Sequence, residues 1–192
     1  MADVVTAEEL DQALPHVMAA PRMDGSVTLL LYRRKYNDRV FTQHLRLSRS
    51  HGVEGDFEMS IPWLKLDDGS PDKRIQVSIL PLRVLDLCWR NREITVHPGD
   101  QIVADFNMSL ENLPAGSLLR VGTAVLRVSD LWNDGCAKWR VRCGRPAYDW
   151  VRSREHEALR LRGIFCSVEE DGEVNVGDRM IKLFDTSKRS VG

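Results

Sequence analysis

Residues 130–144, DLWNDGCAKWRVRCG, gather two cysteines, two tryptophans and three basic residues. A thiolate is a strong nucleophile and a good ligand for soft metals, and cations beside a thiol raise its thiolate fraction near neutral pH. Cys136 follows the polar turn Asn133-Asp134-Gly135, which would present its thiol at a junction between elements. An inert, buried cysteine is the alternative. Lys138, Arg140 and Arg142 alternate with Ala137, Trp139, Val141 and Cys143, so an extended conformation would place the three cations on one side, able to hold a phosphate or another anion. Cys143 lies seven residues after Cys136. No zinc site is expected, because neither C-x-x-C nor a nearby histidine pair accompanies them. Reversible pairing of the two thiols stays open. Trp132 and Trp139 flank Cys136 and would either stack on a flat ligand or close a small core.

Other candidates have simpler readings. Arg160 and Arg162 in ALRLRGI can complement the negative end of a preceding helix, or one of them can point into a cleft. Asp105, Asn107 and Asn112 read as turn-forming, and His97 in the HPGD turn reads as exposed. No Ser-His-Asp arrangement, phosphate-binding glycine loop or paired-carboxylate spacing stands out.

The chain has 192 residues, 43% hydrophobic and 29% charged, with a formal charge of −1. This composition fits a globular protein and gives no case for nucleic-acid binding. The first twenty residues lack the basic start and apolar run of a secretory signal, and no stretch has the roughly 20 apolar residues of a membrane helix. A cytoplasmic address is expected, with the four cysteines reduced.

Thr6 and Glu9 form a capping box that opens a helix through Leu14 or beyond. The runs 26–34 and 39–49 read as a hairpin joined at 35–38, and 67–73 as an exposed loop. The run 74–87 reads as a strand ending near Pro81, then a helical turn; 101–110 reads as another strand. Hairpins are expected around Gly122 and at Asp171-Gly172, and the later helical candidate is 145–163, with Pro146 near its start. Many short strands and few helices predict a mainly β fold, a β-barrel with a few short helices. One domain over 1–192 is expected, with an N-terminal helix and hairpin at 1–66 and the barrel core and cysteine motif at 74–185. The last residues, TSKRSVG, are expected to fray.

At PGDQIVADFNMSLENLPAGSLLRVGTAVLRVSD, then GCAKW, ALRLRGI and VNVGD, the sequence resembles the MOSC family, named for the C-terminal domain of molybdenum-cofactor sulfurases. HGVEGD (51–56) and RIQVSILPLRVLDL (74–87) extend the similarity to small stand-alone bacterial members. The resemblance implies a MOSC-type β-barrel with the family's landmark cysteine at Cys136. It implies two roles for that residue: ligand to molybdenum in a molybdenum-pterin cofactor, or carrier of sulfane sulfur as a persulfide.

On the first role Lys138, Arg140, Arg142 and Arg162 would hold the cofactor, with Asn133 in the same pocket. Relatives commonly carry histidine at position 133, and asparagine cannot relay a proton as imidazole does. No pyridoxal-phosphate desulfurase domain is present, so sulfur would come from a cysteine desulfurase partner. Reduction of N-hydroxylated compounds, a third reading, would require an electron-donor protein. A non-catalytic adaptor built on the same barrel is the competing class.

Overall fold

In the computed structural model, which describes residues 4–184, the chain begins with a helix set by its first polar pair. The Glu9 N–H donates to Thr6 Oγ1 at 3.2 Å and the Thr6 N–H to Glu9 Oε2 at 2.7 Å. These reciprocal caps satisfy two otherwise unpaired donors and start α1, Ala7–Met18. The expected frayed tail TSKRSVG lies outside the described residues.

The strands follow as β1 (Asp24–Lys35), β2 (Asp38–Thr42), β3 (His44–Ser48), β4 (Gly52–Val53) and β5 (Val77–Pro81). Pro81 hands over directly to α2 (Leu82–Cys88), as the residue order predicted. Then come β6 (Ile102–Asp105), β7 (Leu118–Val121), β8 (Ala124–Trp132), α3 (Ala137–Arg152), β9 (Ile164–Glu170), β10 (Gly172–Asn175) and β11 (Arg179–Leu183). The fold is mainly β.

The large sheet runs β11-β7-β8-β9-β5-β6-β1-β2, and β1 also pairs with β11. That pairing, Asp24 to Ile181 and Ser26 to Arg179, closes the ladder into a ring with β2 flanking it. Closure removes the open edges that β1 and β11 would otherwise present and leaves β2 as the flanking strand. β5 and β6 are parallel, and the other pairs of the ring are antiparallel.

Strand alternation sorts the apolar residues into two cores. Ile102 and Ala104 face the ring interior with Val27, Leu30, Val77, Ile79 and Leu126. Val103 faces outward, where it meets Leu10 and Val17 of α1, Val84 and Leu85 of α2, and Trp139, Ala147 and Trp150 of α3.

Four expected elements differ, the first being the run 101–110, which is a strand only at Ile102–Asp105. The run 39–49 is two strands, because Thr42 Oγ1 donates to the His44 carbonyl and accepts the His44 N–H, turning the chain at Gln43. Asp171-Gly172 is not a hairpin turn: β9 stays in the ring while β10 pairs with β3 in a separate sheet, β10-β3-β4. Gly172 is needed for close approach, since a Cβ there would sit 2.4 Å from the Ala124 nitrogen. The helical candidate 145–163 begins earlier and ends sooner. α3 starts at Ala137, breaks at Gly144 (φ 87°) just before Pro146, and stops at Arg152. Trp139 and Cys143, one turn apart, are both buried and drive its first half into the helical layer.

Gly163 ends the approach to β9 at φ 91°, and a Cβ there would lie 2.1 Å from the Ile79 carbonyl oxygen. Gly69 has a similar φ of 83° with nothing within 4 Å. Gly163→Ala is expected to cost about 2–3 kcal/mol, read as a thermal midpoint lowered by roughly 4–12 °C. Gly69→Ala is expected to cost about 1 kcal/mol or less. Equal costs would remove the steric argument.

Candidate functional site

A cavity of about 470 Å³ opens beside the β8–α3 loop. The β1–β2 hairpin contributes Arg33, Lys35, Tyr36, Asn37 and Arg39, and the segment after β4 contributes Phe57, Glu58 and Trp63. The loop before β6 brings Pro98, Gly99, Asp100 and Gln101. Trp132 ends β8, Asn133, Asp134 and Cys136 come from the β8–α3 loop, Lys138 and Arg142 from α3, Arg162 from the approach to β9 and Phe165 from β9 itself. Six basic side chains therefore line the cavity against the acidic Glu58, Asp100 and Asp134. The excess of positive charge favours an anionic occupant.

Cys136 is exposed and unbridged, and stands at the N-cap of α3 without using its side chain as a cap. The loop that presents it is held from two sides. Arg152 reaches back to the Asp134 carboxylate and to the Gly135 carbonyl at 3.1 Å. Asn133, buried, donates from Nδ2 to the Arg162 carbonyl at 3.3 Å. Asn133 thus fastens the cysteine loop to the approach to β9.

Cys143 is buried two turns along α3, and at 1.5 Å rise per residue its Cα is roughly 10 Å from that of Cys136. A disulfide needs less than about 7 Å, so the two do not pair. Burial pushes the Cys143 thiol up to about 12 and the Cys88 thiol higher still. Cys166 is likewise pushed up to about 12 in the ring core.

The basic residues of the motif do not lie on one side, because 137–143 is helical rather than extended. On a helix, positions two apart diverge by about 200° while positions four apart nearly coincide. Lys138 and Arg142 face the cavity; Arg140 is exposed and points elsewhere. The Lys138 ammonium lies 4.5 Å from the Tyr36 ring centre. Arg142 donates to the Pro98 carbonyl at 2.8 Å and to Asn37 Oδ1 at 3.1 Å.

Arg162 is buried, donating Nη1 to Asp100 Oδ1 at 2.8 Å with its guanidinium 4.6 Å from the Trp139 ring centre. Burial pushes the Asp100 carboxyl up, but Arg162 more than reverses this and holds it below the usual carboxylate range. Arg160 points away and donates to the Leu113 carbonyl. Asp105 pairs with Arg83, while Asn107 and Asn112 bond to the carbonyls of Met18 and Arg22, so all three shape the scaffold.

Several lining residues escaped the sequence reading. Arg33 binds Asp56 at 2.9 Å and Glu58 at 2.7 Å, so HGVEGD supplies the carboxylate that orients it. Arg39 donates to the Pro98 carbonyl at 3.2 Å, and burial together with Arg142 and Arg33 lowers its pKa to about 10. His97 is the clearest correction. It is 2% exposed, with its ring 4.8 Å from Trp89 and 5.8 Å from Phe41. Nδ1 accepts the Gly99 N–H at 3.0 Å, which leaves the neutral ring's proton on Nε2. Burial, reinforced by Arg162, Arg39 and Arg142 against Asp100, lowers its pKa to about 4.

Residues 99–181, which include Asp100, the cysteine loop, α3 and the start of β9, match the model of the MOSC domain. The resemblance read from the sequence therefore holds over the cysteine motif and the strands around it. No curated protein matches in sequence. Among solved structures, the YuaD protein from Bacillus subtilis is similar with a TM-score of 0.62 at 20% identity, covering 85% of this chain and 98% of that one. YiiM from Escherichia coli is similar at 0.52 and 16% identity, covering 84% of this chain and 71% of that one. YiiM from Geobacillus stearothermophilus gives 0.55 at 11% identity, with 83% and 75% covered. At these identities the likeness is one of fold.

The neutral His97 carries a pH dependence. Between about pH 6.5 and 4 the unfolded chain binds a proton that the folded ring refuses, so stability is present above 6.5 and lost as pH falls. The contribution is on the order of 3 kcal/mol. His97→Asn, which can still accept the Gly99 N–H, is expected to flatten this limb when urea midpoints are compared at pH 7 and pH 4.5. Parallel curves for the two proteins would contradict a buried neutral ring.

Proposed function

We propose that the cavity holds a molybdenum-pterin cofactor with the Cys136 thiolate as its protein ligand. One observation carries the reading: an exposed thiol opens onto the same cavity as Arg39, Lys138, Arg142 and Arg162. The residues fit such a group. The volume lies within the range of about 300–1,000 Å³ usual for small-molecule sites, the charge excess suits a phosphate, and thiolate sulfur suits a soft metal. Among the described residues, no three His, Cys, Asp or Glu side chains converge as a metal site, so further ligands would come from the cofactor itself.

When bound, the cofactor would supply two-electron redox chemistry at the metal. This chain's residues would do the holding. Lys138 and Arg142 would grip the phosphate, Arg162 would stay fixed by Asp100, and Asn133 and Arg152 would keep the Cys136 loop in place. Reduction of N-hydroxylated compounds would draw electrons from a donor protein. The cytoplasm, where such reductants and reduced thiols persist, is the proposed location.

The exposure of Cys136 favours a second reading, sulfur carriage. Its thiolate would attack the terminal sulfur of a cysteine desulfurase persulfide, forming the new S–S bond as the donor leaves as thiolate. An adaptor without chemistry would need neither the thiol nor the cations.

Elemental mass spectrometry on protein from a cofactor-making host separates these readings. Near-stoichiometric molybdenum in the wild type, absent from Cys136→Ser, is the expected result. Arg142→Ala is expected to weaken cofactor retention about 10- to 100-fold, one charge-assisted bond, and Arg140→Ala to leave it within about twofold. Metal-free protein with a reducible adduct of about 32 Da at Cys136 would shift the assignment to the carrier. Neither signal, after reconstitution, would leave the adaptor.

A further inference from the structure

Among the described residues, six buried side-chain nitrogen or oxygen atoms lack a hydrogen-bond partner, and five of them cluster at one corner. They are Arg39 Nε and Nη1, Arg162 Nε, His97 Nε2 and Asp100 Oδ2. Arg39, Asp100 and Arg162 line the cavity. A buried polar atom left unpaired costs about 1–3 kcal/mol, and native proteins leave few. Four of the atoms belong to these lining residues, and such a concentration is the mark of a place that a ligand's polar atoms complete.

The cluster is mixed in sign, and that restricts the ligand. Arg39 and Arg162 offer N–H groups to an acceptor. Asp100 is held ionised by Arg162, which takes Oδ1 at 2.8 Å. Its Oδ2 is acceptor-only. A bare phosphate would satisfy the arginines and leave Oδ2 facing another anion. A ligand presenting an N–H beside a carbonyl oxygen satisfies both.

Backbone geometry keeps the two readers together. Gly99 has φ 109°, and a Cβ there would lie 2.8 Å from Arg39 Nη2 and 3.4 Å from Arg39 Nε, so only glycine lets this guanidinium lie against the loop that carries Asp100. The Pro98 carbonyl then takes bonds from both Arg39 and Arg142.

We infer that Asp100 and Arg39, with Arg162 behind them, read the lactam edge of a heterocyclic ligand, Asp100 Oδ2 accepting the ring N–H while the arginines donate to the adjacent carbonyl. The inference rests on the cavity being the pterin site proposed above, and adds which side chains recognise the ring as distinct from its phosphate. It assigns Asp100 to recognition as well as to the burial of Arg162.

The test is calorimetry on cofactor-free protein with 2-amino-4-oxopteridine, its N3-methyl analogue, and pyrophosphate. The methyl analogue, lacking the donor, is expected to bind wild type at least tenfold more weakly than the parent. Asp100→Asn is expected to weaken the parent at least tenfold and to shrink the penalty for methylation. Arg39→Gln should weaken the parent. Should Asp100→Asn fail to fold, the methyl comparison on wild type decides alone.

Equal binding of the two pteridines, as ordered water at the cluster would give, overturns the inference, as does binding of pyrophosphate with neither pteridine. The failures are separable. Equal pteridine binding with molybdenum still lost in Cys136→Ser sinks only the lactam reading. Methyl-sensitive binding by a wild type that never retains molybdenum sinks only the metal reading.

Discussion

The buried pair between Asp100 and Arg162 holds the site together. Breaking one side of such a pair strands a charge in a low-dielectric place, typically at about 3–5 kcal/mol. Through it the loop before β6 is tied to the approach to β9. Arg162 extends the tie with its own backbone, accepting from Asn133, and with its guanidinium, which lies over Trp139. The 97–101 loop thus meets the cysteine loop and the adjoining first half of α3 at one residue, Arg162. Displacing Arg162 would release the Cys136 loop on one side and the cavity wall on the other.

Around this pair the site is electrostatically crowded. Arg33, Arg39, Arg142 and Arg162 share one cavity, and Arg39 and Arg142 both hold their protons less firmly than an ordinary guanidinium, chiefly through burial. A protein accepts like charges in proximity where a function requires them. Arg33 is neutralised by Asp56 and Glu58, and Arg162 by Asp100. Arg39 and Arg142 instead make neutral bonds to the Pro98 carbonyl and keep their charge for the cavity.

How much was legible in the residues divides along physical lines. The capping box at Thr6, the turn at Gly122 and the break at Pro81 are local, and local rules found them. Lys138, Arg140 and Arg142 alternate as a strand face would, whereas a helix keeps only Lys138 and Arg142, four apart, on one side. Only the burial of Trp139 and Cys143 against the helical layer decides for a helix, and with it drops Arg140 from the site. His97 looked exposed because its turn residues are those of a surface loop. Its burial depends on Phe41 and Trp89, which nothing local foretells. Cys136 stood out through family resemblance, whereas Arg39 lay unremarked within a strand pattern.

The closing pair of the ring joins strands that lie far apart in the sequence. Asp24 lies across from Ile181, and β11 also completes β7. A ring sealed by so late a strand has no finished form during synthesis: until β11 is made, β1 and β7 each keep one unpaired edge. Contacts so distant along the sequence are slow to make and leave sticky strand edges in the interval. The order in which this polypeptide is made therefore exposes its nascent form to aggregation longest at the seam that, once shut, removes the edge altogether.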